Sequence, residues 1–242
     1  MKLKLLLAGL LFPWISALFG QQNEGIIYYN ETYNMHRSLP PEAADMKAMI
    51  PEFRTQKNEL LFNASESLYR NAEEEDEDEF NDGGGMVIKM QRPEATFYRD
   101  FTGRKKIDAR DFFGKNYLIA DTLTTGDWKV AMDTKEILGY NCLKATTTDT
   151  LRKREIVAWF TDALPLPTGP AQFGQLPGTI LEIDVNDGEI VIAAAKVEFK
   201  KLKKGEIAAP KRGEKVTDAE FQQIMADRMK ENGGRMMRVI RN

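Results

Sequence analysis

Short segments of alternating apolar and polar residues recur along most of this chain, each bounded by Gly, Pro, Asn or Asp. That spacing restricts the fold to an antiparallel sheet that curves or closes on itself. The first segment, Ile26 to Met35, places Ile27, Tyr29, Tyr33 and Met35 on one face, with Glu31 as the single exception. Further strands are expected over 57–63, 67–71, 86–90, 95–101, 106–112, 117–121, 128–132, 141–148, 154–161, 179–185 and 189–200. Val185-Asn-Asp-Gly-Glu189 suits a hairpin turn, because Asn, Asp and Gly tolerate left-handed backbone. The fold class is therefore mainly β: a single curved antiparallel sheet or an open β-barrel.

Two helices are expected beside the sheet. Ser38-Leu-Pro-Pro-Glu42 resembles a helix start, and Ala43, Met46, Met49 and Ile50 form a short apolar stripe that Pro51 ends. Near the C-terminus, Thr217-Asp-Ala-Glu220 fits a capping box. Phe221, Ile224, Met225 and Met229 follow on one helical face, so an amphipathic helix over 217–231 should dock on the domain's own sheet.

Residues 1–20 read as a secretory signal peptide, with Lys2 and Lys4 ahead of a short apolar run and cleavage after Ala17 or Gly20. The run is too short for a lasting membrane span, and no cysteine near the cut suggests a lipoprotein. The expected location is exported: periplasmic, or associated with an outer membrane. Residues 21–203 then form the β-rich domain, with an acidic, glycine-rich loop at about 72–85, and 204–242 a tail carrying the C-terminal helix. The net charge of −3 becomes −5 without Lys2 and Lys4, which argues against a nucleic-acid partner.

Reactive groups are sparse. The only histidine, His36, sits at a strand end beside Arg37 and reads as a turn residue. The only cysteine, Cys142, lies within a strand and reads as a small buried hydrophobe; alone it permits no intramolecular disulfide. One histidine and one cysteine do not make a typical zinc site. The run Glu73 to Glu79 lacks the spaced pattern of a calcium loop. No catalytic residue, metal or cofactor is expected.

The region most suggestive of function is Ala158 to Ile183, where two strands flank a loop stiffened by Pro165, Pro167, Pro170 and Pro177. Trp159, Phe160, Pro170, Phe173, Leu176, Pro177 and Gly178 are the candidates for a partner-binding surface. If they fold over the sheet they seal one end of the core instead.

This loop, with Leu176-Pro177-Gly178, resembles the signature of the GLPGLI family. So does the block of Trp128, Lys135-Glu-Ile-Leu-Gly-Tyr-Asn-Cys-Leu-Lys-Ala145 and Ala158-Trp-Phe160. Gln175 and Thr179 stand where that family has glycine and leucine. The resemblance implies an exported β-rich envelope protein with no assigned reaction. The function expected from it is a non-enzymatic, protein-binding or accessory component of an outer-membrane or periplasmic assembly. The alternative is a carrier holding a lipid or other apolar ligand inside the curved sheet.

Overall fold

The computed structural model describes residues 24–37, 39, 47–72, 95–150 and 153–231. The signal segment, most of the acidic loop and the strand expected at 86–90 lie outside these residues. Twelve strands form one sheet: β1 (Gly25–Asn34), β2 (Phe53–Phe62), β3 (Glu66–Asn71), β4 (Ala95–Asp100), β5 (Lys105–Phe112) and β6 (Lys115–Thr122) come first. They are followed by β7 (Lys129–Ile137), β8 (Tyr140–Asp149), β9 (Arg154–Thr161), β10 (Thr179–Val185), β11 (Ile190–Phe199) and β12 (Glu214–Val216). One helix, α1 (Asp218–Glu231), ends the described chain.

The strand order is β12-β6-β5-β4-β3-β2-β1-β11-β10-β9-β8-β7. The chain thus builds outward from β1 in both directions, mostly by neighbouring hairpins. All pairings are antiparallel except β12 on β6, so the sheet is mixed. It is also open, with β7 and β12 at its two ends, which corrects the expectation of a barrel. The β7 edge resists extension: its register slips between Val130 and Thr134, and such a bulge breaks the regular template that another strand would need.

The middle strands are buried on both faces. Ile27, Tyr29, Leu60, Tyr69 and Phe97 join the main core with β8–β11, while Ile26, Leu61, Leu68 and Tyr98 pack against Leu202, Ile207 and Ala209. The segment after β11 therefore covers one face of the strands that the main core covers from the other. Each fully buried Ile, Leu or Phe side chain contributes about 1.5–3 kcal/mol.

At the β10–β11 hairpin Asn186, Asp187 and Gly188 adopt φ of 57°, 54° and 83°, as the turn residues foretell. The capping box forms as well: Thr217 N–H donates to Glu220 Oε2 at 2.7 Å, and Glu220 N–H to Thr217 Oγ1 at 3.2 Å. Phe221 and Met225 of α1 bury against Tyr117 and Ile119 of β6, so the helix docks on its own sheet.

No N-terminal α-helix is seen among the described residues. Residues 40–46 lie outside the described residues, and what is described is a single 3-10 turn at 47–49. Pro51 excludes the helical conformation just before it, and so short a stripe falls below the length at which helix formation becomes cooperative.

Candidate functional site

The stiff loop between β9 and β10 is folded onto the sheet. Thr179 organises it: its N–H and Oγ1 both donate to Leu164 O, at 3.0 and 2.9 Å, and Oγ1 also reaches Leu166 O at 3.0 Å. Thr168 Oγ1 bonds Ser67 of β3 at 2.8 Å, and Trp128 Nε1 donates to Gly174 O at 2.9 Å. Prolines leave backbone acceptors without matching donors, and these side chains supply donors instead.

The seven candidate residues separate into groups. Phe160, Pro170, Leu176 and Gly178 are buried; Phe173 and Trp159 are half-buried; Pro177 is exposed. Phe160 and Leu176 belong to the main core, and Phe173 packs against it. Trp159 lies in register with Lys144 and Glu182. The Lys135 ammonium sits 5.7 Å from its ring centroid and bonds both Glu182 oxygens, at 2.7 and 2.8 Å.

Gly178 is where the loop meets the sheet most closely. A Cβ there would lie 2.2 Å from Thr161 O, at a φ of 155°. Gly178→Ala is expected to cost about 2–4 kcal/mol, since backbone must move to admit the methyl. A urea titration reads this directly, and a cost within error would show that the loop does not hold β9 and β10 together.

His36 bonds Ile50 O through Nε2 at 2.8 Å, tying its turn to the chain ahead of β2. The Cys142 thiol is buried, and burial with the nearby Glu182 carboxylate pushes its pKa up to about 11, so it stays protonated at neutral pH. Among the described residues, no three His, Cys, Asp or Glu side chains gather to hold a metal ion. No helix there is long and apolar enough to cross a membrane.

A second constellation lies where β1, β2 and β3 run side by side. The Glu31 carboxylate accepts from Tyr33 Oη on one oxygen and from Gln56 Nε2 and Asn58 Nδ2 on the other, at 3.0 and 2.8 Å for the amides. Gln56 Nε2 also reaches Tyr33 Oη at 3.1 Å. Glu31, Tyr33 and Gln56 are half-buried, whereas Asn58 and Tyr69 are buried. Polar groups thus lead from the surface into the core. Burial first, and the Glu31 charge second, raise the Tyr33 and Tyr69 phenols well above their ordinary range. The Tyr69 hydroxyl is closed to solvent, with the Asn58 side chain beside it. Glu31 is the residue that interrupts the apolar face of the first strand, so the signal for this cluster stood in the sequence.

Residues 107–221, just under half the chain, match the model of the N-terminal domain of N-glycanases ("N-glycanase peptide, N-terminal domain"). Two solved structures of PNGF-II, in P21 and C2 crystals, share the fold, each with a TM-score of 0.56 over 84% of this chain at 17% identity. The chain spans about a third of those proteins, 33% and 32% of their lengths. No curated protein matches it.

These likenesses overturn the GLPGLI assignment, because the N-glycanase match spans the very motifs that suggested it. Trp128, Tyr140, Leu143, Trp159 and Phe160 all belong to or pack against the main core, so the motif residues serve packing here. The expected role as an accessory component of an envelope assembly falls with it, since the match is to a domain of N-glycanases. The apolar-carrier alternative falls too: the sheet is not closed into a barrel, and nothing in these likenesses points to a ligand carrier.

Proposed function

We propose that this protein serves the processing of asparagine-linked glycans as a non-catalytic β domain of the N-glycanase kind, holding glycosylated polypeptide. The observation that carries this reading is the match of residues 107–221 to the N-terminal domain of N-glycanases, with the shared fold over most of the chain in support. The side chains of the described residues support the non-catalytic part of this reading. Acid–base cleavage of a glycan calls for a positioned acid and base, commonly two carboxylates. Among the described residues Glu31 is the one carboxylate of its cluster, and its two oxygens already take three donors. Cys142 and His36 are each tied to backbone carbonyls. Export, read from residues 1–20, would bring the domain to where surface glycoproteins are met.

The test is calorimetric titration with an asparagine-linked glycopeptide and with the same peptide after its glycan is removed, followed by mass spectrometry of the mixture. Saturable binding of the glycosylated form only, with no glycan released, is the expected result. Equal binding of both forms, or of neither, overturns the proposal. Released glycan overturns its non-catalytic part.

A further inference from the structure

We infer that the segment joining β11 to β12, from Lys200 to Gly213, is a docking track for an acidic glycan, a sugar chain that carries carboxylates. The inference rests on the glycan-holding role proposed above and names the charge of what is held. The segment is laid across the sheet. Five strands separate β11 from β6, on which β12 pairs, so the path covers six spacings of about 4.8 Å, or roughly 30 Å. Leu202, Ile207 and Ala209 pack against Ile26, Leu61, Leu68 and Tyr98 along the way. At one end Lys200 N–H donates to Glu24 O at 3.3 Å, and at the other the β12 pairing fixes the chain.

What the segment turns outward is positive charge. Lys201, Lys203, Lys204, Lys211 and Arg212 are exposed, and among the described residues none of them meets an acidic side chain. The acids nearby in the chain are already engaged. Glu198 takes Lys196 and Lys200, at 2.7 and 3.8 Å, and Glu214 takes Lys115 at 2.5 Å. Glu206 accepts the Lys203 backbone N–H at 2.6 Å, closing a turn in which Gly205 has a φ of 81°. Five cations therefore stand unneutralised in two groups, one on either side of the Ile207 and Ala209 contacts. Their fixed positive field attracts a partner of opposite charge. Spread along a path instead of gathered at a point, they suit a chain with recurring negative charge better than a single ion. The segment has no aromatic residue on which a nucleic-acid base could stack. Its leucine and isoleucine pack inward, which leaves no large apolar group to enter a membrane. A sugar chain with carboxylates needs neither.

Calorimetry is run with a uronic-acid oligosaccharide long enough to span the segment and with the same sugar after its carboxylates are reduced to alcohols. Polyglutamate and single-stranded DNA of equal charge, phosphatidylglycerol vesicles and the glycopeptide used above complete the set. The uronate is expected to bind about tenfold more tightly than its reduced form, and more weakly as salt rises. Two variants remove the two groups of charge: Lys201→Gln with Lys203→Gln and Lys204→Gln, and Lys211→Gln with Arg212→Gln. Each is expected to weaken uronate binding about tenfold at unchanged Tm, as the loss of two or three exposed charge contacts should. Lys129→Gln with Lys153→Gln, exposed lysines toward the β7 end of the sheet, should leave it unaltered. Equal binding of the uronate and its reduced form overturns the track while the glycan-holding role stands, and so does binding of the glycopeptide without the uronate. Polyglutamate, DNA or vesicles bound as tightly as the uronate overturn it in favour of a general polyanion surface. Native affinity in both segment variants, or an equal loss in the Lys129 and Lys153 variant, overturns it as well. Binding that appears only when residues 73–79 are replaced by serine makes the chain's own acidic run the occupant, and this too overturns it. A native chain that binds neither sugar nor glycopeptide overturns both proposals.

Discussion

Above pH 10 this protein is expected to lose stability steeply and to unfold within a few pH units, releasing tyrosine protons cooperatively as it does so. Tyr29 and Tyr69 are the cause. Tyr29 is 1% exposed and its hydroxyl donates to Ile180 O at 2.6 Å, joining β1 to β10 across the core. Burial raises both phenols well above their usual range, helped by the Cys142 thiol near Tyr29 and by the Glu31 carboxylate near Tyr69. An unfolded tyrosine ionises near pH 10. Between that pH and the higher native values the unfolded chain has lost protons that the native protein still holds, so unfolding gains free energy as pH rises. Each of the two contributes a loss of about 1.4 kcal/mol per pH unit, so together they remove about 3 kcal/mol per unit. Against a total stability of about 5–15 kcal/mol, that slope removes a large share within each pH unit above 10. Below pH 10 the contribution is fully present. Urea midpoints at pH 8, 10 and 11, with tyrosinate absorbance followed at each, test this. Independent titration of all seven tyrosines near pH 10, with an unchanged midpoint, would refute it.

Strand positions were legible because alternation and turn residues are local properties, and β9 and β10 run over the residues that their patterns mark. What alternation does not carry is how a sheet ends. Closure depends on whether the two outermost strands find each other, and here one of them escaped the pattern altogether. β12 is three residues, Glu214, Lys215 and Val216, of which only Val216 is half-buried, and it is held by parallel pairing to Tyr117, Leu118 and Ile119. Three residues with one buried contact leave no period to detect. The stiff loop was legible as shaped, from its prolines and glycines, but whether its aromatics faced in or out depended on Thr179 and Thr168 reaching carbonyls and Ser67 far along the chain. The polar cluster was half legible: Glu31 stood out, whereas its neighbours Gln56, Asn58 and Tyr69 come from other strands. The family motif misled for a related reason, since Gly139 and the residues around it answer the local needs of a hairpin and a core.

Charged residues buried beneath α1 show the same limit and set the second large expectation: Asp108→Ala should cost about 3–5 kcal/mol, the loss typical when one partner of a buried ion pair is removed. Asp108 is 2% exposed and is shared by two guanidiniums, Arg99 through Oδ1 and Arg110 through Oδ2, the latter at 3.2 Å. Arg99 also donates to Tyr98 O at 2.9 Å. Both cations lie against the Phe97 ring, at 5.8 and 4.8 Å from its centroid, and Arg110 reaches Phe221 of α1 at 5.8 Å. Burial pulls the Arg110 pKa down and Asp108 pulls it back, so the carboxylate is what makes a buried cation tolerable there. Removing it leaves two like charges facing each other out of water, one of them with an Nε that is already unpartnered. The network is therefore costly to break, which differs from being a large net source of stability. Replacing all three residues together, as Arg99→Met, Asp108→Leu and Arg110→Met, should recover most of the loss, because apolar side chains of similar size need no compensating charge. Helix α1 should loosen first in the single variant, since the Arg110 guanidinium lies over Phe221 of α1, alongside the separate Lys106–Asp218 ion pair. Hydrogen exchange across Asp218–Glu231 in Asp108→Ala reads that directly. A single variant that loses under about 1 kcal/mol, or a triple variant no better than the single, would mean that the cluster is solvated and does little to hold α1.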